Sequence, residues 1–399
     1  MLILQVKDSQ PATAKPSELA AKLEAWLGLL SNSVKGVRVL HRQALYRHAS
    51  EGGYRREHFG YVEDAAAKNT GSQPVPDASL FNGKLLLTES AAPSDIVPLG
   101  ELLLGYDSSR GASVRCDDRE VGHDLFRDGS FLVVRKLQQD VKALNEYVKR
   151  EKKHLGAHAD ADNYFRGLIM GRYPDGTPVE PVKDSTVPNE LSFSTGECPA
   201  FAHIRRVNPR TQLLGGIPRI LRRGFTYGPK FTEQSAGLDR GLMFMAYNAS
   251  IAEQFEVLQR WINGGNSTGL LSSQKDIIAG QGSISPIKYR SCAAGRDGQQ
   301  GKPLSFEPPD KAHVTLDWGL YLFVPSRATL SALTLLRGNN VPVYDPRATD
   351  PDVVEGRAII ARILALEAVD PARARDLWKH TLEGAPSDAD KLWKAIRTE

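Results

Sequence analysis

Apolar residues recur at two spacings along this chain, and the switches between them mark its elements. Residues 2–6 (LILQV) are a short apolar run that predicts a buried strand. From Ser17 the spacing turns helical: Leu19, Leu23, Trp26 and Leu30 fall on one face, with Pro16 and a Ser17 N-cap at the start. Residues 36–47 return to a strand around Val37, Val39 and Leu40. Strand, helix and strand with short connections make half of a ferredoxin-like α+β unit.

Residues 67–125 are rich in Gly, Pro, Ser and Asp and read as irregular, with short elements around LLLTE and GELLLGY. Residues 129–137 (GSFLVVRKL) predict a strand, and 138–151 a helix with Val141, Leu144 and Val148 on one face. PDGTP, inside MGRYPDGTPVE (170–180), is a turn by composition. HIRRV (203–207) and GLMFMAY (241–247) alternate or run apolar as strands do. Residues 250–263 return to helical spacing through Ile251, Phe255, Leu258 and Ile262, and Ser250 with Glu253 predicts a capping box. GLYLFVPS (319–326) is a last strand stopped by Pro325, and SRATLSALTLL after it is helical. Two amphipathic helices are predicted in the tail, at 356–368 and 371–382.

Composition narrows the class. The chain has 399 residues, 41% of them apolar, enough for a large core without covalent staples. A formal net charge of +4, with no block of like charges, gives no bulk attraction to nucleic acid. Cys116, Cys198 and Cys292 form no CxxC pair and are odd in number, which argues against a disulfide framework. No apolar stretch approaches the roughly 18 residues of a membrane span. The start, MLILQVKDSQ, lacks the basic lead and the apolar core of about 7–15 residues of a signal peptide. The expectation is a cytoplasmic protein without membrane or nucleic-acid partners, and a homo-oligomer is compatible with the sequence.

The densest chemistry lies between Cys198 and Gly228. There CPAFAHIRRVNPR places His203 among arginines, and RILRRGFTYG follows. Neutral imidazole is a ready ligand for haem iron, and clustered guanidiniums hold carboxylates through paired hydrogen bonds. A solvated basic strand or an RNA-binding strip would also account for these residues. The motif pair resembles the dye-decolorising peroxidases, a haem b family. EHFGYVED (57–64), DGSFLVVRKLQQDV (128–141), MGRYPDGTPVE, GLMFMAYNASIAEQFEVLQRWIN (241–263) and GLYLFVPS are similar to the same family, in the same order.

The resemblance implies an α+β fold of two ferredoxin-like lobes with antiparallel sheets and peripheral helices, and haem b between sheet and helices. It implies an N-terminal lobe over 1–150, shortened relative to the family, and a connecting segment over 151–190. A haem-binding lobe over 191–345 and a helical extension over 346–399 follow. It further implies a peroxidase that reduces H2O2 and oxidises dyes, phenols or other electron-rich donors, small or bulky, through a ferryl porphyrin radical.

The roles carry over residue by residue. His203 matches the proximal iron ligand, and Asp276 is the nearest match to the carboxylate that accepts its second ring nitrogen. Arg222 matches the distal cation, with Arg223 the runner-up. Leu242 and Phe244 match positions over the distal haem face, and Arg206, Asn208 and Arg210 are candidates for the propionates. The family's distal acid sits in Gly-aromatic-x-Asp-Gly, whereas this chain reads Gly60-Tyr61-Val62-Glu63-Asp64-Ala65. Without an indel Glu63 takes the acid position; if the loop slips by one residue Asp64 does; both can also be an ordinary exposed pair. Two other classes therefore stay open: a haem-binding protein with weakened or lost peroxidase activity, and a haem-free subunit partnering a chain that carries the missing half.

Overall fold

The computed structural model describes residues 21, 24–25, 28, 43–45, 56–62, 74–76, 95–109, 111–112, 126–156, 158–179, 198–209, 217–265, 274–282, 284, 286–290, 303–327 and 329–330. The chain divides into two compact units, residues 1–44 and 45–399. In the first, residues 21, 24, 25 and 28 are helical, within the stretch where the apolar spacing predicts a helix. Residues 43–45, expected inside a strand, carry no regular structure. The first strand (2–6), LLLTE and the tail helices lie outside the described residues.

The second unit is built on one antiparallel sheet. Strand β1 (Ser130–Gln139) lies between β4 (Gly241–Asn248) and β7 (Val314–Val324), and β4 pairs on its other side with β2 (Leu221–Arg222) and β3 (Phe225–Tyr227). Being central, β1 is covered on both faces, which is why it reads LVV without interruption. Helix α1 (Val141–Glu151) follows β1, and helix α4 (Glu256–Ile262) lies between β4 and β7. The chain order is β-α-β-β-α-β with β7-β1-β4-β2/β3 across the sheet, the ferredoxin-like arrangement. Within this unit the β-α-β-β-α-β arrangement begins at Ser130.

Local chemistry explains the helix ends. Asp140 accepts from Ala143 N at 2.9 Å and starts α1. Asp160 does the same for α2 (Ala161–Met170), with Asn163 N at 3.3 Å. The α2 helix ends in left-handed Gly171, φ 95°. A Cβ there would also run into the Ile204 side chain, so glycine lets α2 approach the segment carrying His203. Leu144, Val148, Phe165, Leu168 and Ile169 of these helices are fully buried against Phe59, Tyr61, Phe201, Ile277 and Phe306. Each such side chain contributes roughly 1.5–3 kcal/mol of transfer free energy.

Two expectations from the pattern fail for identifiable reasons. HIRRV is a helix, α3 (His203–Val207), not a strand. Its alternation suits a sheet only if Ile204 and Arg206 share the buried face. In the helix Ala202 and Arg206 share it, four residues apart, and both are buried. The predicted capping box is half formed. Ser250 Oγ accepts from Glu253 N at 3.3 Å, but the Ser250 N–H donates to Gln254 Oε1, at 2.8 Å, instead of to Glu253. Gln254 is drawn fully inside, where Nε2 donates to the carbonyls of Glu101 and Arg219 at 2.8 and 2.5 Å. The first turn, Ile251–Phe255, is accordingly widened to a π-helix before α4 begins.

The PDGTP turn forms as composition predicts. Arg172 bridges Pro178, Gly176 takes φ 93°, and Asp175 accepts from Thr177 N at 3.0 Å. Its Pro174 carbonyl accepts from Val62 N at 3.1 Å and so holds the end of the EHFGYV segment. Among the described residues of the 67–125 region are two-residue ladders, Val75–Pro76 with Ile96–Val97 and Asp107–Ser108 with Gly111–Ala112, and a short 3-10 turn at Leu99–Glu101. No helix among the described residues is long and apolar enough to cross a membrane.

Candidate active site

Helix α3 is the centre of the site. Its first residue, His203, retains 23% of its side-chain surface, and its Nδ1 lies 2.7 Å from Oδ2 of Asp276, which is completely buried. The other carboxylate oxygen, Oδ1, accepts from the backbone N–H groups of Ile278 and Ala279, at 2.7 and 2.9 Å. Burial alone would push the Asp276 carboxyl up. The facing His203 and the two backbone donors outweigh it and hold the carboxyl below its usual range. An ionised Asp276 fixes the imidazole tautomer: Nδ1 carries the hydrogen and Nε2 carries the lone pair.

Arg206, expected at a propionate, is fully buried instead. Its Nε and Nη2 both donate to the Trp261 carbonyl, at 3.1 and 2.7 Å. Two of its three nitrogens thus brace α3 against α4 rather than standing ready for a carboxylate. Burial pushes this guanidinium down, with Asp276 working the other way. Asn208 is the half-buried C-cap of α3, its N–H on the Ile204 carbonyl at 2.9 Å. Arg210 lies outside the described residues.

The sheet supplies a second group. Arg222 pairs with Ala246, and Ala246 with Val133; one step along, Phe244 pairs with Arg135, and Leu242 with Leu137. Residues directly opposite one another share a face, so Arg222, Leu242, Phe244 and Arg135 lie on one side of the sheet. Met243 and Met245 face the other side, in a cluster with Leu132 and Val134. On the Arg222 side, Phe255 meets Phe244 at 6.0 Å between ring centroids and takes the Arg135 guanidinium over its ring at 4.6 Å.

Arg222 is exposed by surface area, yet enough protein surrounds it that burial, and then Arg219, push its guanidinium down, with Asp95 working against them. Both facts hold for a side chain that is surrounded by protein yet reachable by solvent. Leu242 and Phe244 are only half-buried on the same face, which leaves apolar surface for a bound group to cover. Arg223, the runner-up, is exposed and donates to the Arg222 carbonyl at 3.0 Å. Glu63 and Asp64 lie outside the described residues, immediately after Val62.

Three features of this region escaped sequence reasoning. Asp95 and Arg219, both nearly buried, form an ion pair at 2.8 Å beside Arg222. Gln254 ties that pair's backbone to Glu101. Glu57, in EHFG, accepts from Phe59 N and Gln139 Nε2 at 2.8 and 2.6 Å on one oxygen and from Tyr61 N at 2.9 Å on the other. Burial, the largest influence, raises its pKa above the ordinary carboxylate value in spite of those donors. Long sequence separation hides the first two. Glu57 was legible as part of a motif, but not as a buried acid.

Residues 112–280, which span the sheet core, His203, Arg222 and Asp276, match the family described as Dyp-type peroxidase, C-terminal. The multifunctional dye peroxidase DyP2 of Amycolatopsis sp. is 29% identical over 309 residues, covering 69% of this chain and 61% of that protein. Peroxidase 2 of Mycetinis scorodonius is 31% identical over 242 residues, covering 53% of this chain and 42% of that one. The chain thus spans about three fifths of the first relative and less than half of the second. The solved structure of the Amycolatopsis DyP2 superimposes with a TM-score of 0.58 at 27% identity, over 79% of this chain and 68% of that one. In its ferredoxin-like sheet, its His203 held by a buried Asp276 and its arginine on the sheet face, the chain is similar to the Dyp-type peroxidases, whose C-terminal family model its residues 112–280 match.

Proposed function

We propose that this protein is a haem-dependent peroxidase that reduces H2O2 and oxidises phenols, dyes or other electron-rich donors. The observation that carries the reading is the His203–Asp276 pair. A histidine whose Nδ1 is held by a buried, doubly hydrogen-bonded carboxylate offers Nε2 as an oriented ligand. Haem b would be held by His203 Nε2 at the iron, Asn208 at a propionate and the accessible apolar surface of Leu242 and Phe244 against the ring; Arg210, outside the described residues, is the further propionate candidate. When bound, haem supplies the redox-active iron that the side chains of this chain lack.

The protein's own groups do the rest. Asp276 keeps the hydrogen on Nδ1. Leu242 and Phe244 exclude water from the ring's neighbourhood. Arg222, with two donor-rich guanidinium edges, stabilises the charge that develops on the departing peroxide oxygen. Glu63, or Asp64 if the loop slips, moves a proton from one peroxide oxygen to the other so that water can leave. In net terms H2O2 and two hydrogen-atom donors give two waters and two donor radicals.

The test is an absorbance spectrum of protein produced with ample haem, beside His203→Ala, followed by turnover of a phenolic dye with H2O2. A Soret band that His203→Ala loses, together with dye turnover, is expected. A band without turnover leaves a haem-binding protein only, and no band overturns both readings.

A further inference from the structure

Beside the EHFG segment lies a cleft of about 440 Å³, within the size range of small-ligand sites, and neither His203 nor Arg222 lines it. We propose that this cleft binds a small aromatic carboxylate. The site is built around Arg56. Its Nη1 donates to the carbonyls of Gly60 and Pro174, at 2.7 and 2.5 Å, which hold the guanidinium in place. Among the described residues no carboxylate pairs with Arg56, and Nε and Nη2 have no acceptor. A half-buried guanidinium held rigid on one edge, with its other donors unused, is preorganised for a carboxylate.

The remaining lining suits the same ligand. Lys230 adds a second, exposed ammonium. Asn145 accepts from Arg166 on its oxygen, which orients its amide with the NH2 still available to donate. Arg166 is itself balanced by Asp162 at 2.8 Å, so it does not add to the net attraction. Glu57 is the carboxyl that would oppose an anion, but its oxygens are turned onto N–H groups of Phe59, Tyr61 and Gln139. Phe231 and Pro174 provide apolar walls for a ring. The charges favour an anion and the walls an aromatic body. If such a ligand also serves as electron donor, that further step rests on the peroxidase reading; binding does not.

The experiment is calorimetric titration of the purified protein, without peroxide, with 4-hydroxycinnamate and with its neutral analogue 4-vinylphenol. One carboxylate site per chain is expected, weakened severalfold between 50 mM and 500 mM salt, with 4-vinylphenol at least tenfold weaker. Arg56→Gln, and independently Lys230→Gln in case the first variant disturbs the EHFG turn, should each weaken 4-hydroxycinnamate about tenfold or more. Equal affinity for the two probes would overturn the proposal. So would affinity unchanged in both variants, or affinity lost only in Arg222→Leu, which would move the ligand to the haem side. None of these readings depends on turnover, so failure here is separable from failure of the peroxidase assignment.

Discussion

His313 carries a buried imidazole, 1% exposed, that meets no hydrogen-bond partner among the described residues at either ring nitrogen. Its ring lies 5.3 Å from that of Tyr147, and its backbone carbonyl accepts from Asp140 N at 2.8 Å. The charged groups around it are Asp140 and Asp276, which favour protonation, and Lys311 and Arg150, which oppose it. Burial dominates and drives the imidazole from 6.5 to about 4. The sign follows directly. Below the unfolded pKa the unfolded chain takes up a proton that the folded chain refuses, so stability falls as pH drops from about 6.5 toward 4.

That fall spans roughly 2.5 pH units at about 1.4 kcal/mol each, or about 3 kcal/mol once partial titration at both ends is included. His313→Leu has similar volume and nothing to protonate. At pH 7 it should match or exceed the wild type, because burying a polar group without a partner costs about 1–3 kcal/mol. Between pH 7 and pH 4 the variant should gain about 3 kcal/mol relative to wild type. Urea unfolding of both proteins across that range reads the difference, since groups common to both, the Asp140–Lys311 pair included, cancel. Parallel stability curves would refute the reasoning and mean that His313 is partnered or charged in the folded protein.

Arg222→Leu should retain haem but slow its reaction with H2O2 by about 10²–10³, the usual loss on removing a preorganised donor from a transition-state site; stopped-flow spectra after mixing with peroxide measure it. Gly171→Ala should lower the urea midpoint, because a Cβ at φ 95° costs about 1–2 kcal/mol and here also meets Ile204. Since Ile204 adjoins His203, haem titration of the same variant should show weaker binding, while an alanine placed at the exposed Gly237, which meets no neighbour, should change neither.

Elements whose stability is local were legible in the chain. The helical spacing of Val141, Leu144 and Val148, the PDGTP turn and the strand segments GSFLVVRKL, GLMFMAY and GLYLFVPS each follow from residues within one element, although the helix expected over 138–151 starts only at 141, where Asp140 caps it, and the last strand starts earlier, at 314. The nomination of His203, Arg222 and Asp276 rested instead on the resemblance of their motifs to a family, Asp276 as the nearest match. What the chain alone could not decide is which face a short polar segment turns inward. HIRRV became a helix because Arg206 found the Trp261 carbonyl, 55 residues away. Gln254 displaced Glu253 from the cap because Glu101 and Arg219 draw it into the interior. The His203–Asp276 pair, the Asp95–Arg219 pair beside Arg222 and the buried His313 imidazole likewise arise only when distant segments exclude water from one another. Burial is what turns these ordinary polar residues into groups with a fixed tautomer, a displaced pKa or an unsatisfied nitrogen, and burial is set by the packing of the whole sheet and its helices.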